Sequence, residues 1–136
     1  MARARDDRDV LAYQQLEKVV PHTELFLSSE DVDIEGALDI TECLRRHHLK
    51  WGRYRLAEQF GRKSLELAEK NFEPGHPTIA ISQSNLATVL RDLGELKEAW
   101  GLLTKAYEVF LKKLGYDHPY TKKVRTHLEN IQHRFS

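Results

Sequence analysis

Apolar residues in the second half of the chain recur at intervals of three and four positions. In the stretch ATVLRDLGELKEAWGLLTKAYEVFLKKL, residues 87–114, charged side chains fill most of the positions between them. This spacing places the apolar side chains on one face of an α-helix, whereas a half-buried strand would alternate at every second position. Gly94 interrupts the run, and a glycine can adopt the left-handed conformation that ends a helix. The stretch therefore predicts two amphipathic helices joined by a short turn.

The same pattern along the whole chain predicts an all-α protein of about six helices. Pro77 and Pro119 mark two of the starts, because the first position of a helix does not need the N–H that proline lacks. Pro21 is expected to bend or interrupt the first helix, and the polar link SSEDVD follows it. The predicted helices span about 7–27, 34–51, 54–72, 77–93, 96–114 and 119–134.

The pattern repeats with a period of 42 residues. Gly52 and Gly94 stand 42 positions apart, as do His76-Pro77 and His118-Pro119. One helix pair cannot bury its own apolar face, so stacked pairs would share a continuous core and the contacts would repeat with the sequence. The chain is thus expected to form a single domain. It would consist of an N-terminal helix and link (1–33), a first repeat (34–76), a second repeat (77–118) and a C-terminal capping helix (119–136).

The run SNLATVLRDLGELKEAWGLLTKAYEVFLKKLGYDHP, residues 84–119, resembles a known repeat family. It is similar to the 42-residue tetratricopeptide repeat of kinesin light chains and of the C-terminal arrays of NB-ARC and NACHT-type signalling ATPases. The resemblance implies a right-handed α-solenoid of antiparallel helix pairs. It also implies a concave groove, formed by the first helix of each pair, that binds a peptide or partner protein. The ATPase part has no counterpart here, since the chain contains no Walker motif.

The resemblance singles out Asn85 as a groove residue whose side-chain amide could hold a peptide backbone. The alternative is that Asn85 bonds a neighbouring helix or meets solvent. Basic residues on the same face could meet a carboxylate or an acidic peptide, although an ordinary solvated face of mixed charge is also compatible with the pattern. The candidate groove residues are Ser84, Asn85, Thr88, Arg91, Arg46, Lys50, Asn130 and Arg134.

A second hypothesis is self-association. A short array of helix pairs leaves apolar ends that could stack on another copy of the chain and give a homo-oligomer. The residues that would carry this contact are Phe26, Leu27, Ile131 and Phe135. Where the second copy has Ala87, the first and third have Arg45 and Glu129, and these polar residues suit solvent-facing end helices.

Composition narrows the possible partners. Lys and Arg number 21, as do Asp and Glu, so no net charge draws the chain to nucleic acid or to an acidic membrane. A single cysteine, Cys43, excludes an internal disulfide and suits a reducing compartment, and no signal peptide or 18-residue apolar run is present. We therefore expect a cytoplasmic protein.

The residues give little sign of catalysis. Adjacent His47 and His48 point in different directions on a helix, so they do not form the i, i+4 pair that binds a metal. His76 and His118 precede prolines in both copies, which indicates a turn or capping role. Cys43 lacks a nucleophile signature and is expected to be a small buried hydrophobe. The sequence thus predicts a non-enzymatic protein without a cofactor or metal.

Overall fold

The computed structural model describes residues 33–135, with the side chains of 33–134, and this part of the chain contains five α-helices and no strand. The predicted helix at 7–27, together with Phe26 and Leu27, lies outside the described residues. The other five predicted helices are confirmed, and each end lies within one residue of its predicted position. The helices are α1 (Ile34–Lys50), α2 (Tyr54–Asn71), α3 (Pro77–Asp92), α4 (Leu96–Leu114) and α5 (Pro119–Phe135).

Two helices begin with the same histidine–proline cap. The Nδ1 atom of His76 accepts a hydrogen bond from the backbone N–H of Thr78 at 3.0 Å, just before α3. The Nδ1 atom of His118 accepts one from the backbone N–H of Tyr120 at 3.1 Å, just before α5. Each bond satisfies an N–H group that has no partner within its helix. The capping role predicted for these two histidines is confirmed.

Two helix pairs turn on the same kind of glycine. Gly52 and Gly94 have φ values of 74° and 85°, which a residue with a Cβ adopts only with strain. The residue after each glycine donates its N–H back across the turn, from Arg53 to the carbonyl of His48 and from Glu95 to that of Leu90, both at 2.8 Å. These bonds close the helix ends and bring the next helix back antiparallel.

The helices stack in chain order as a solenoid. Each of α1 to α4 packs against the helix that follows it, and α3 also contacts α5. Alanines allow close approach at these contacts: Ala57, Ala87, Ala99 and Ala106 are fully buried, as expected. Leucines, a phenylalanine and an isoleucine fill the space between them. The main core cluster comprises Ala80, Leu86, Ala87, Leu90, Ala99, Leu103, Ala106, Phe110, Val124 and Ile131.

Three residues lie in environments that differ from the expected ones. Arg45 is not solvent-facing: it is 6% exposed, and its stem passes beside Gly61, which has no side chain to block it. Ile131 is fully buried in the core cluster, because the face of α5 that carries it packs against α4, so it is not an exposed apolar end. Cys43 is exposed rather than buried. Glu129 is exposed, as expected, and the side chain of Phe135 lies outside the described residues.

None of the helices within residues 33–135 combines the length and the apolar character that a membrane crossing requires.

Candidate functional site

Three adjoining cavities follow one another where α1, α3 and α5 lie side by side. Their volumes are about 540, 410 and 180 Å³. Asn85, in the middle of α3, lies in the wall of all three. We call this row of cavities the groove. Helices α2 and α4 lie behind it and contribute only a few residues to its floor, which makes α1, α3 and α5 its principal walls.

The largest part of the groove, the acidic cavity of about 540 Å³, lies between α1 and α3. Glu35, Asp39 and Glu42 approach it from successive turns of α1. Their spacing of four and three residues places the three carboxylates on one face of the helix. Leu38 and Ile81 add apolar surface to the same cavity. This part of the groove therefore offers negative charge beside an apolar wall.

The basic cavity, about 410 Å³, lies between the second half of α1, the middle of α3 and α5. Arg46 and Lys50 continue the exposed face of α1, and Lys123 comes from α5. Arg46 contacts Glu42 only at 3.8 Å, and 68% of its side chain remains exposed. Lys50 places its Nζ atom 5.9 Å from the ring centre of Trp51. Four cationic side chains from two helices thus line this end of the groove, and one of them, Arg45, is paired with Glu42.

The smallest part, the apolar cavity of about 180 Å³, lies between α3 and α5. Ile81, Phe110 and Val124 provide apolar walls, and Tyr120, which is 47% exposed, lies at its opening. The volume is sufficient for one large side chain but is below the usual range of small-molecule sites. Ser84, Asn85, Thr88, Lys123 and His127 add polar groups at its edge.

A hydrogen-bonded chain of side chains fixes the middle of the groove. The Nδ2 atom of Asn85 donates to Glu42 Oε2 at 3.1 Å, which ties α3 to α1. Arg45 donates to both carboxylate oxygens of Glu42, including a bond of 3.0 Å from its Nε atom. Because Arg45 is buried and charged, this two-point contact holds the carboxylate in one orientation. Asn85 consequently keeps its amide nitrogen towards α1 and its Oδ1 available as an acceptor.

His127 closes the groove on the α5 side. Burial lowers its pKa below the usual value, and the positive charges of Arg91 and Lys123 lower it further, while Asp92 opposes the shift. The imidazole is therefore neutral at pH 7. Its Nδ1 atom is buried and has no hydrogen-bond partner among the described residues. The ring thus adds an uncharged, half-buried wall between cationic neighbours.

The structure brings five of the eight candidate groove residues together. Ser84, Asn85, Thr88, Arg46 and Lys50 all line one or more of the three cavities.

Arg91, Asn130 and Arg134 line none of the three. Arg91 is directed towards Asp92, with its Nε atom 3.5 Å from the carboxylate. Asn130 and Arg134 are exposed on the later turns of α5. The groove is therefore formed by the earlier turns of α5, and it excludes the positions where two of the candidate residues were expected.

Lys123 and Tyr120 are groove residues that the sequence analysis missed. The repeat itself contained the signal, since Lys123 stands 42 positions after Ile81 and Ile81 stands 42 positions after Asp39. Extending that register to the third copy would have identified Lys123. Nothing comparable identified Tyr120, whose importance depends on how α5 packs beside Phe110, with ring centres 5.6 Å apart.

Within residues 33–135, no group of three or more His, Cys, Asp or Glu side chains is arranged to hold a metal ion.

Comparisons with known proteins agree with this architecture. Residues 46–112 match the family model of the tetratricopeptide repeat. The crystal structure of BtubC (BKLC) from P. vanneervenii superposes with a TM-score of 0.77 at 19% identity, over 95% of this chain and 50% of that one. Two crystal structures of a Podosopora anserina kinesin light chain with nearly identical TPR-like repeats give TM-scores of 0.77 and 0.76 at 24% identity, over 90% of this chain and 57% of theirs.

A search of curated proteins gives no match. The chain spans between 50% and 57% of the length of the solved proteins it resembles. The family match covers the turn after α1, the whole of α2 and α3 and most of α4, and the structural likeness extends over nearly all of the chain. Residues 46–112 therefore form a tetratricopeptide-repeat segment, and the fold of the described residues is that of kinesin-light-chain-like repeat proteins.

Proposed function

We propose that the chain is a non-catalytic interaction module that binds a segment of a partner protein in the groove. The observation that carries this proposal is the position of Asn85. Its amide lies in the wall of all three cavities and is oriented by Glu42. A fixed amide in an open groove can bond the backbone of a peptide, while the cavities on either side receive its side chains.

The shape of the groove favours a macromolecular ligand over a small substrate. The two larger cavities are open to solvent along the helices, and the smallest and least open one, at about 180 Å³, admits a single side chain. His127 is neutral, and the two hydroxyls in the same lining, those of Ser84 and Thr88, donate to backbone carbonyls of α3 and not to its ring. Catalysis would need converging titratable groups in a sheltered pocket. We therefore propose binding without chemistry, with residues 34–76 and 77–118 as the repeats, 119–136 as the cap and the cytoplasm as the location.

The test begins with a displayed library of random peptides of about twelve residues, selected on the wild-type protein. Synthetic versions of the enriched peptides are then measured by fluorescence anisotropy against wild type and Asn85→Ala. Losing one partly buried hydrogen-bonding group should weaken binding about three- to tenfold. Asn71→Ala is the matched control, because Asn71 is exposed at the end of α2 and donates only to the carbonyl of Leu67 in its own helix.

Equal affinity for wild type and Asn85→Ala would overturn the proposal, as would a library that yields no enriched peptide. Circular dichroism of each variant must show the wild-type helical content, because Asn85 also bonds Glu42.

Self-association remains the alternative, and the mass in solution decides it. Light scattering over a concentration series should give a constant monomer mass if the groove is the functional surface. The burial of Ile131 removes one of the residues on which the alternative depended. A mass that rises with concentration would favour contact between copies, with the exposed Tyr116 and Leu111 as the first residues to replace.

A further inference from the structure

The groove has opposite charges at its two ends. Along α1, the acidic residues Glu35 and Asp39 precede Glu42, and the basic residues Arg46 and Lys50 follow it. The described residues lining the acidic cavity include no lysine or arginine, and those lining the basic cavity include no aspartate or glutamate. At 1.5 Å per residue, the distance along the helix from residue 35 to residue 50 is about 22 Å.

Helix stability explains only part of this pattern. Acidic residues near the start of a helix and basic residues near its end both complement the helix dipole, which accounts for Glu35 and Lys50. Lys123 does not follow this rule. It is the fifth residue of α5, beyond the first turn, where the helix dipole does not favour a cation. The helix dipole therefore does not account for the charge of Lys123.

The repeat register shows a second charge gradient, which runs across the helices from α1 to α5. Asp39, Ile81 and Lys123 are equivalent residues of α1, α3 and α5, each 42 positions from the next. All three line the groove. An acidic, an apolar and a basic side chain therefore occupy one structural position in successive copies. The charge separation is thus a property of the groove as a whole and not of α1 alone.

We infer that the groove binds an extended peptide segment of opposite polarity, with acidic residues over Arg46, Lys50 and Lys123 and basic residues over Glu35 and Asp39. This inference rests on the proposed function and specifies the ligand and its direction. An extended segment is favoured because its backbone N–H groups are free to bond the Oδ1 atom of Asn85, whereas a helix uses all but its first four N–H groups internally. At about 3.3 Å per residue, a span of about 22 Å separates the two charged groups by five to seven residues.

The charge separation also fixes the peptide's direction. In one orientation each charged group meets its opposite, and in the other both meet like charges. An apolar residue between the two charged groups would occupy the cavity bordered by Ile81, Phe110 and Val124.

The first experiment uses the peptides enriched from the random library. Their sequences should carry acidic residues in one half and basic residues in the other, about five to seven positions apart. For the tightest peptide we define a swapped peptide, in which every Asp and Glu becomes Lys and every Lys and Arg becomes Glu. The swapped peptide should bind wild type at least tenfold more weakly than the original. Each exposed charge pair contributes about twofold to fivefold, and several pairs reverse together.

The second experiment reverses the groove. In the triple variant Arg46→Glu, Lys50→Glu, Lys123→Glu, the original peptide should lose at least tenfold in affinity. The swapped peptide should lose less affinity than the original on going from wild type to the triple variant, or should gain affinity. The matched control carries the same change of net charge on exposed lysines of α4, outside the groove: Lys97→Glu, Lys105→Glu, Lys112→Glu. If the triple variant does not fold, a variant with Gln at the same three positions replaces it. Its loss of affinity for the original peptide should be smaller, because the charges are removed and not reversed.

The outcomes separate the two proposals. Two results would overturn the charge inference and leave the groove as the binding site, provided that the enriched peptides lose affinity for Asn85→Ala. In the first, the peptides show no charge polarity. In the second, they bind the triple variant and the α4 control equally. Peptides that bind Asn85→Ala as well as wild type would overturn the proposed function and this inference with it.

Discussion

The packing of α2 against α3 makes a sharp prediction about Gly61. A Cβ atom added at Gly61 would lie 3.1 Å from Leu86 Cδ1, 3.5 Å from Leu86 Cα and 3.6 Å from Arg45 Cδ. The first distance is tighter than an ordinary contact and the other two are not, so the Cδ1 atom of Leu86, which is 1% exposed, would have to shift within the core. Gly61→Ala should therefore compress a packed contact.

Gly101 supplies the matched comparison. It also lies inside a helix, α4, but a Cβ atom there meets nothing within 4 Å. Replacing glycine by alanine inside a helix favours folding by about 1 kcal/mol at either position. At Gly61 alone, overpacking costs about 1–3 kcal/mol. We therefore expect Gly101→Ala to raise the free energy of unfolding by about 1 kcal/mol, and the two variants to differ by about 1–3 kcal/mol.

Urea unfolding followed by circular dichroism at 222 nm measures this difference. The slopes of the free energy against urea concentration should agree among wild type and both variants, since the surface exposed on unfolding is unchanged. In thermal unfolding, each kcal/mol corresponds to a shift of about 3–5 °C for a domain of this size. If Gly61→Ala were as stable as Gly101→Ala, Leu86 would have room to move, and the close approach of α2 and α3 would not depend on glycine.

Three further predictions follow from individual contacts. Arg62→Gln should lower the free energy of unfolding by at most about 1 kcal/mol at pH 7, because Arg62 bonds Glu98 across α2 and α4 at 2.8 Å but both side chains are nearly half exposed. The hydrogen bond from Arg62 holds the pKa of Glu98 below 4.5. The stability contributed by this ion pair is therefore present above that pH and is lost as the pH falls through the lowered pKa. A difference in urea midpoint between wild type and Arg62→Gln that persists in acid would contradict this. Arg45→Ala should cost about 2–4 kcal/mol in urea unfolding, with Arg45→Met recovering part of it, because the stem is buried beside the core and its removal takes away the two-point contact of Glu42. Equal losses for the two variants would exclude a packing role. Cys43 should react with Ellman's reagent in the native protein at nearly the rate of a free thiol, since it is exposed, and a hundredfold protection would contradict the structure.

Most of the fold between residues 33 and 135 could be predicted from the sequence, because its signals are local. Apolar spacing located the helices, Gly52 and Gly94 located the turns, and the histidine–proline pairs located two starts. Each depends on the conformation of a few consecutive residues, and the 42-residue period supplied a second copy that confirmed the first. The same register supplied all eight candidate groove residues, and five of them line the cavities.

The remaining features depend on contacts between residues far apart in the chain. Arg45 is polar and was expected at the surface, yet the missing side chain at Gly61 gives its stem a buried path to Glu42. Ile131 appeared to belong to an exposed end, but its side of α5 packs against the core.

Sequence periodicity by itself determined which residues form helices and which of them repeat. Only the tertiary structure decided which turns of α5 border the groove, and hence that Tyr120 lines it while Asn130 and Arg134 lie outside it. The physical reason is that a helical pattern specifies the direction of a side chain around its own axis. Which neighbour that side chain meets depends on how the helices pack against one another.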